Sequence, residues 1–279
     1  MIESQIETIR QHLASQYVGV FNDQQIDRHI HDYIGPKIAE SQVDEVLASG
    51  KVQHLLDIGC GYGSFVLAAR NRGIDAMGIE IAPFEIEFAR TRLRSECPLD
   101  NPDDVYIEGS GLDLPFQSDQ FDVVTLWNVM EHIPDVDKLI SEVNRVLRTG
   151  GRVYVICPNY AAFRTEAHYH LFWPSLLPRK AASVYIRLRG RNPAFFESSI
   201  FYRTNWSILK TMSKYQLHPH NYSEPKILDP TLISNPVTSK LIMTIKRFHL
   251  IFLVNIYLNL QLLNPLKSSI VLYATKKVK

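Results

Sequence analysis

Apolar residues recur at helical spacing near the N-terminus. Ile6, Ile9 and Leu13 are three or four positions apart, and a second run with the same period follows within the next thirty-five residues. Apolar positions separated in this way fall on one face of an α-helix. The pattern therefore predicts an N-terminal helical segment over residues 1–50.

From residue 54 onward, short apolar runs alternate with helical patterns. The runs HLLDIG, AMGIEI, VYIEG, FDVVTLWNV and RVYVICP predict strands. The segments between them predict helices: SFVLAARNRG, PFEIEFARTRLRSE and DVDKLISEVNRVLRTGG, the last stopped by Gly150. Strands that alternate with helices form a mostly parallel sheet with both faces covered. We predict such an α/β core over residues 51–158, and SSIVLYATKKV predicts a final strand.

The alternation breaks down after Pro158, so residues 159–279 are predicted to hold a substrate-side insert and the C-terminal completion of the core. Residues 159–203 are rich in aromatic residues, arginine and proline, and TNWSILKTMSKY predicts a helix. Within the apolar stretch 241–263, the longest part without a charge has 16 residues. A membrane-spanning helix needs about 20, so we predict no transmembrane span. A buried helix, a dimer contact and a helix lying on a membrane surface all remain open.

Charge is distributed unevenly along a chain whose net charge is only +1. Residues 1–150 hold 12 Lys/Arg and 25 Asp/Glu, whereas residues 151–279 hold 18 Lys/Arg and 4 Asp/Glu. This predicts that the second half faces an anion, although the two halves can also neutralise each other. Three scattered cysteines and a polar N-terminus favour a reducing, cytoplasmic setting.

The segment LLDIGCGYGSF, residues 55–65, combines a buried strand, an acid and three glycines at alternate positions before a helix. Glycine permits close approach and left-handed dihedrals that a Cβ disfavours. Glu80 closes the second strand, 21 residues after Gly59, where a carboxylate can accept both hydroxyls of a ribose. A nucleotide-like ligand is therefore predicted at this edge of the sheet.

The order of these motifs resembles the class I S-adenosylmethionine-dependent methyltransferases. It consists of D-x-G-x-G-x-G, the strand-end Glu80, G-x-x-x-x-LPF, FDVV, EHI and RVLRTGG, and it covers residues 50–158. Within that family it is most similar to the group that modifies small molecules, quinols and glycans. The resemblance implies a Rossmann-like fold with a mostly parallel seven-stranded sheet, helices on both faces and S-adenosyl-L-methionine as cofactor.

The resemblance also implies which residues bind the methionine and ribose parts of the cofactor. The methionine end would be lined by four residues of the glycine loop: Asp57, Gly59, Gly61 and Tyr62. Glu80 would bind the ribose hydroxyls. Asn128, after the fourth strand, would offer its carbonyl near the methionyl amino group.

Four further residues are implied at the adenine. Ile81 would pack on the ring, and Gly111 and Leu112 would contact it through backbone groups. Many relatives carry Asp where this chain has Ser110. A serine hydroxyl can still accept a hydrogen bond from the adenine amino group, more weakly.

Candidate catalytic residues follow the fourth strand. His132 is a candidate general base with Glu131 as its partner, because an imidazole titrates near neutrality; the alternative is that the pair orients the following helix. His170, in the segment that begins at Glu166, is a further candidate. Some relatives hold a divalent ion with E-x-x-E-H, but this chain has Asn128 at the first position, so we predict no metal.

The segment after Pro158 looks like the insert of methyltransferases associated with bacterial surface-glycan assembly, and its alternative role is a packed cover over the core. Its aromatic and arginine residues suit a sugar ring and a phosphate. We predict O-methylation of a sugar or glycolipid intermediate, an anionic acceptor that is small or lipid-linked. Peripheral contact with the inner membrane face would occur through residues 241–263. A quinol or other small molecule is the alternative acceptor, RNA is a further one, and nucleic-acid binding is not favoured because no RNA-binding module accompanies the charge.

Overall fold

The computed structural model describes residues 3–277 and shows a mostly parallel seven-stranded sheet of order β3-β2-β1-β4-β5-β9-β8. A separate two-stranded ribbon pairs β6 with β7. In chain order the strands are β1 (His54–Ile58), β2 (Asp75–Glu80), β3 (Tyr106–Glu108), β4 (Phe121–Trp127), β5 (Leu147–Pro158), β6 (Arg164–Thr165), β7 (Phe172–Trp173), β8 (Leu217–Asn221) and β9 (Ser269–Lys276). In the sheet, β9 runs antiparallel to both of its neighbours.

Helices cover both faces of this sheet. In chain order they are α1 (Glu3–Gln16), α2 (Asp23–Ile34), α3 (Pro36–Ala48), α4 (Ser64–Asn71), α5 (Pro83–Glu96), α6 (Pro102–Val105), α7 (Val136–Val146), α8 (Arg179–Leu188), α9 (Ala194–Ser199), α10 (Asn205–Lys214), α11 (Glu224–Leu228), α12 (Pro236–Arg247) and α13 (Ile251–Leu263). Short 3-10 turns lie at Met130–His132 and Pro230–Leu232. The predicted fold class is confirmed.

Two apolar layers hold the helices against the sheet. Leu55 and Val123 face α3, α4 and α5, whereas the next residues along these strands, Leu56 and Val124, face α7 and α10. Successive side chains of a strand point to opposite faces, so a strand buried on both sides is apolar throughout. That is why β1 and β4 have continuous apolar runs.

The predicted helix around residue 147 is too long. α7 ends at Val146, and Leu147 instead begins β5 by pairing with Phe121. The register between β4 and β5 then shifts before Val123 pairs with Arg152. Thr149 and the two following glycines are poor helix formers, so pairing with β4 prevails over helical continuation.

Strand β8 was not recognised in the sequence. Its residues, LHPHN, are mostly polar and contain Pro219, yet they pair with β9 at the edge of the sheet. A proline is tolerated at an edge because it need not donate to the ladder on its free side. The two hydrogen-bonding strands at this edge therefore come from the part of the chain after Pro158.

The apolar stretch before the last strand forms two helices, α12 and α13. They are separated at His249, whose φ of +57° lies in the left-handed region. Among residues 3–277, no helix is long and apolar enough to cross a membrane. The alternative of a buried helix in this stretch does not hold for α13, because Phe252, Ile256 and Leu260 are each more than half exposed.

Candidate active site

The glycine loop lies between the end of β1 and the start of α4. Gly59, Gly61 and Gly63 all have positive φ, at +72°, +49° and +76°. A Cβ on Gly59 would lie 2.5 Å from Cγ2 of Val129, just beyond β4. Glycine is therefore required for the turn and for the close approach of the two strand ends.

The carboxylate of Glu80 ties this loop to the end of β2. Its Oε2 accepts a hydrogen bond from the backbone N–H of Gly61 at 3.1 Å. Its Oε1 accepts from the N–H groups of Ile81 and Ala82 at 2.7 and 3.0 Å. Glu80 is thus held, almost fully buried, at the carboxyl edge of the parallel strands.

Two more carboxyl groups lie near Glu80. Asp57 accepts a hydrogen bond from Oγ1 of Thr125 at 2.6 Å, and burial and the charge of Glu80 raise the pKa of Asp57 to about 7. Burial, followed by the charge of Glu80, also raises the pKa of Glu85 to about 7. Ionised carboxylates crowded in this way are costly unless a cation joins them. The cluster fits a positively charged ligand.

Glu85 was missed by the sequence analysis. It lies in the first turn of α5, two residues after Pro83. Acids are common in the first turn of a helix because they interact favourably with the helix dipole. The sequence therefore does not distinguish Glu85 from an ordinary surface acid.

Tyr62, predicted at the methionine end, is buried in this loop. Its ring packs edge-on against Phe88 at 5.6 Å, and its hydroxyl is buried with no hydrogen-bond partner among the described residues. Burial, then the charge of Glu85, raises the pKa of Tyr62. An unpaired buried hydroxyl of this kind costs free energy unless a ligand supplies the partner.

The residues predicted at the adenine lie at the ends of β2 and β3. Ile81 is 69% exposed, so its side chain is free to cover a ring. Oγ of Ser110 accepts from the N–H of Leu112 at 3.2 Å, which closes the turn after β3. A Cβ on Gly111 would lie 2.7 Å from Cγ2 of Ile58. Here, too, glycine permits close packing of the loop on a strand end.

Asn128 directly follows β4 and adopts a left-handed conformation, with φ of +56°. Its N–H donates to the carbonyl of Ile156 in β5 at 2.7 Å. The structure thus brings the ends of β1, β2, β3 and β4, with their predicted cofactor residues, to one edge of the sheet.

The predicted pairing of His132 with Glu131 is not formed. Nδ1 of His132 lies 2.7 Å from the carbonyl oxygen of Ser199, so it donates a proton to that oxygen. Burial, then the charge of His168, lowers the pKa of His132 to about 4. Glu131 is 1% exposed, and burial raises its pKa to about 7. Oε2 of Glu131 is buried with no hydrogen-bond partner among the described residues. His132 instead contacts Ser199 of the insert, which the sequence pattern does not place.

His170 is separate from this group. It is exposed and in the left-handed region, with φ of +53°, and its nearest ring neighbour is Phe21 at 6.5 Å. The histidine that contacts His132 is His168, with ring centroids 5.1 Å apart. His168 in turn lies 3.0 Å from Oε1 of the buried Glu166.

Aromatic side chains from the N-terminal segment and from α9 pack around these histidines. Tyr17 packs edge-on against Phe195 at 5.1 Å, and Phe195 lies 5.3 Å from His168. Burial, then the charge of Glu85, raises the pKa of Tyr17. His29 stacks on Tyr33 at 4.5 Å beside the same group. We call these residues the histidine chamber: Tyr17, His29, Tyr33, His132, His168 and Phe195.

No cluster of three or more His, Cys, Asp or Glu side chains suited to a metal ion occurs in the part of the chain that the structure describes.

A Rossmann-like sheet with a glycine loop after β1 and an acid at the end of β2 defines a nucleotide-binding α/β protein. The acidic cluster, which suits a cation, separates this site from one built for a pyrophosphate.

Comparison with known proteins supports a more specific assignment. Residues 56–155 match the model of a methyltransferase domain. The chain is 28% identical over 162 residues to a sterol 4-C-methyltransferase of Caenorhabditis elegans, covering 51% of this chain and 46% of that protein. It is 30% identical over 122 residues to a 2-phytyl-1,4-naphtoquinone methyltransferase of Nostoc sp., covering 42% and 52%.

Solved structures show the same architecture. The YcgJ protein of Bacillus subtilis has a TM-score of 0.52 at 17% identity, covering 87% of this chain and 100% of its own. A geranyl diphosphate C-methyltransferase of Streptomyces coelicolor has a TM-score of 0.51 at 20% identity, covering 87% and 77%. Residues 56–155 therefore match a methyltransferase domain, and the chain shares the fold of these solved structures. The chain spans about half the length of the curated relatives it matches.

Proposed function

We propose that this protein transfers a methyl group from S-adenosyl-L-methionine to a hydroxyl group of a small molecule. The observation that carries the proposal is the cluster of Asp57, Glu80 and Glu85 beside the glycine loop. The cofactor carries positive charges at its sulfonium and its ammonium group. These charges would balance the negative charges of the carboxylates. When bound, it provides an electrophilic methyl group.

The roles of the cofactor residues follow from their positions. Asp57, Gly59, Gly61 and Tyr62 bind the methionine end, with the unpaired Tyr62 hydroxyl meeting a polar group there. The carbonyl of Asn128 accepts from the amino group. Glu80 binds the ribose.

At the adenine, Ile81 covers one face of the ring, and Gly111 and Leu112 present backbone groups to its edge. Ser110 already accepts from Leu112, and a hydroxyl has two lone pairs, so it can also accept from the adenine amino group.

We propose a sugar or glycolipid intermediate as the acceptor. Support comes from the histidine chamber, whose aromatic walls suit a ring, and from the basic second half of the chain, which suits a phosphate. The relatives named above are described as acting on a sterol and a quinone. A quinol or other small molecule therefore fits this chamber as well. No specific observation favours RNA.

We further propose that the acceptor is presented at an anionic membrane surface and that the protein works at the cytoplasmic face. Helices α12 and α13 expose nine large hydrophobic side chains: Val237, Leu241, Met243, Phe252, Leu253, Ile256, Tyr257, Leu260 and Leu263. The last fifty residues contain seven Lys/Arg and no Asp or Glu. Apolar area and positive charge together bind a helix to anionic lipid.

Two measurements test the activity. Isothermal titration with S-adenosylhomocysteine is expected to show one site, and Glu80→Ala is expected to abolish it; unchanged affinity would refute the ribose role. Transfer of a tritiated methyl group is then measured on nucleotide sugars, lipid-linked sugars, quinols and RNA. Transfer to RNA alone would overturn the proposed acceptor class.

A further inference from the structure

Glu166, in the insert, is a buried acid whose carboxylate oxygens accept several hydrogen bonds. It is fully buried and accepts four hydrogen bonds, from Oη of Tyr160, Nδ1 of His168 and the backbone N–H groups of His168 and Tyr169, at 2.7–3.0 Å. Burial alone would raise its pKa. The hydrogen bonds and the nearby His168 outweigh burial and lower the pKa of Glu166 to about 2. Glu166 is therefore an ionised, acceptor-only carboxylate.

This carboxylate determines which nitrogen of His168 carries the proton. Since the Glu166 oxygen only accepts, Nδ1 of His168 must be the donor in their 3.0 Å hydrogen bond. The neutral imidazole then has its lone pair on Nε2. Within residues 3–277, no group hydrogen-bonds to that Nε2, and the side chain is 12% exposed. A free Nε2 on an oriented ring can accept a proton.

The ring of His168 lies inside the histidine chamber. His132 and Phe195 pack against it at 5.1 and 5.3 Å. In addition to the larger effect of burial, a charge on His168 lowers the pKa of His29 in α2, of Glu131 in the 3-10 turn and of His170, two residues further along the chain. Glu131 and His132 lie in the 3-10 turn shortly after β4, and Val129, just before this turn, borders the glycine loop. His168 therefore packs between His132, in the turn after β4, and Phe195 of α9.

His132 is less suited than His168 to act as a general base. Its Nδ1 is bound to a neutral carbonyl, and burial together with the charge of His168 lowers its pKa to about 4. A base works best when its pKa is close to the working pH. His132 therefore stays neutral and serves as a wall of the chamber.

We propose that His168, positioned by Glu166, is the general base that accepts the proton of the acceptor hydroxyl. This inference rests on the proposed methyl transfer. The hydroxyl oxygen bonds to the methyl carbon, the carbon–sulfur bond breaks with its electron pair going to sulfur, and the proton passes to Nε2 of His168. The carboxylate of Glu166 stabilises the imidazolium, which later releases the proton to water. We therefore infer an acceptor with an ionisable hydroxyl, and the methylated atom of the product tests this.

The first test does not require an acceptor. The full-length protein labelled with ¹⁵N-histidine is titrated from pH 5 to 9 with S-adenosylhomocysteine bound, and long-range ¹H–¹⁵N spectra report each ring. We expect His168 to carry its neutral proton on Nδ1, and Glu166→Gln to lower the pH at which this ring titrates. The matched control is His31→Gln, at a side chain 76% exposed on α2, which should change neither signal. A neutral proton on Nε2, or a titration unmoved by Glu166→Gln, would overturn the dyad.

The second test measures kcat against pH with the hydroxyl acceptor selected by the panel above. His168→Gln is expected to lower kcat by about 10²–10⁴-fold, the usual contribution of general acid–base catalysis, with S-adenosylhomocysteine affinity retained. The residual rate should rise with pH, as hydroxide replaces the missing base. Loss of cofactor binding would count against the proposed function itself. Retained binding with undiminished kcat, or a carbon-methylated product, would overturn the assignment of His168 alone.

Discussion

Asp57 and Glu85 show how burial changes the chemistry of single residues in this protein. Both are acids next to Glu80, and burial and the Glu80 charge raise the pKa of each to about 7. In an exposed position each would be ionised at all physiological pH values. Here their ionisation becomes sensitive to a bound cation.

The affinity for S-adenosylmethionine should therefore increase from pH 6 to pH 8. Protonated acids at pH 6 do not attract the sulfonium, whereas ionised acids at pH 8 do. Linkage limits the change to about tenfold per pH unit for each group. Isothermal titration at pH 6, 7 and 8 measures it, and Glu85→Gln should flatten the dependence. Equal or tighter binding at pH 6 would contradict this origin.

The same shifts have the opposite effect on the protein without ligand. The folded state holds protons on Asp57 and Glu85 that the unfolded state releases near pH 4. These groups therefore favour folding at low pH, and their contribution is lost as pH rises from about 4 through about 7.

At the scale of elements, the insert is a packed unit rather than a loose loop. Tyr160, Trp173 and Phe196 are fully buried in one apolar cluster, which also includes Val20 from the connection between α1 and α2. This cluster joins the N-terminal helices to the β6–β7 ribbon. It therefore packs the N-terminal helices and the insert, which both contribute to the histidine chamber, against each other.

Trp173→Ala should destabilise this element strongly. Removing a fully buried tryptophan from a core costs about 3–5 kcal/mol, and the indole also bridges Tyr185 and Phe196. Phe172→Ala is the matched control, because its ring is 62% exposed and such changes usually stay within about 0.5 kcal/mol. Urea unfolding of both variants measures the difference. Similar losses in both would show that the cluster does not support the insert.

At the scale of the whole molecule, charge and apolar area coincide on the C-terminal side. The loop after α13 lies beside the end of β5, since the side-chain amide of Asn159 donates to the carbonyls of Pro265 and Lys267 at 3.0 and 2.8 Å. Arg164 of the ribbon donates to the carbonyl of Ser268. The loop that follows the exposed helices thus adjoins the carboxyl end of β5 and the β6–β7 ribbon.

Flotation with phosphatidylglycerol-containing vesicles tests the proposed lipid contact. The full-length protein should float with these vesicles and less with pure phosphatidylcholine, and about 0.5 M salt should weaken binding because it screens exposed charges. Phe252→Glu combined with Ile256→Glu should abolish flotation. Leu99→Glu is the control, at a fully exposed side chain outside this surface. A concentration-dependent dimer that the double substitution disrupts, without flotation, would replace lipid by a second copy as the partner.

The sequence by itself determined the sheet core and the glycine loop. Buried parallel strands are apolar throughout, helices between them keep a 3.6-residue period, and Gly59 adopts a φ that only glycine adopts freely. These are local constraints, so they can be recognised in the residues themselves. Strand β8 and the end of α7 escaped detection because edge position and pairing with β4 prevailed over local pattern.

Only the tertiary structure decided the acceptor side. His29, His132 and His168 come from α2, the turn after β4 and the insert, and no spacing along the chain relates them. Contact with Ser199 separates His132 from Glu131, and burial within the insert makes Glu166 the partner of His168. Burial and long-range packing set both the pKa of each group and the direction in which each ring donates, and neither property belongs to a residue in isolation.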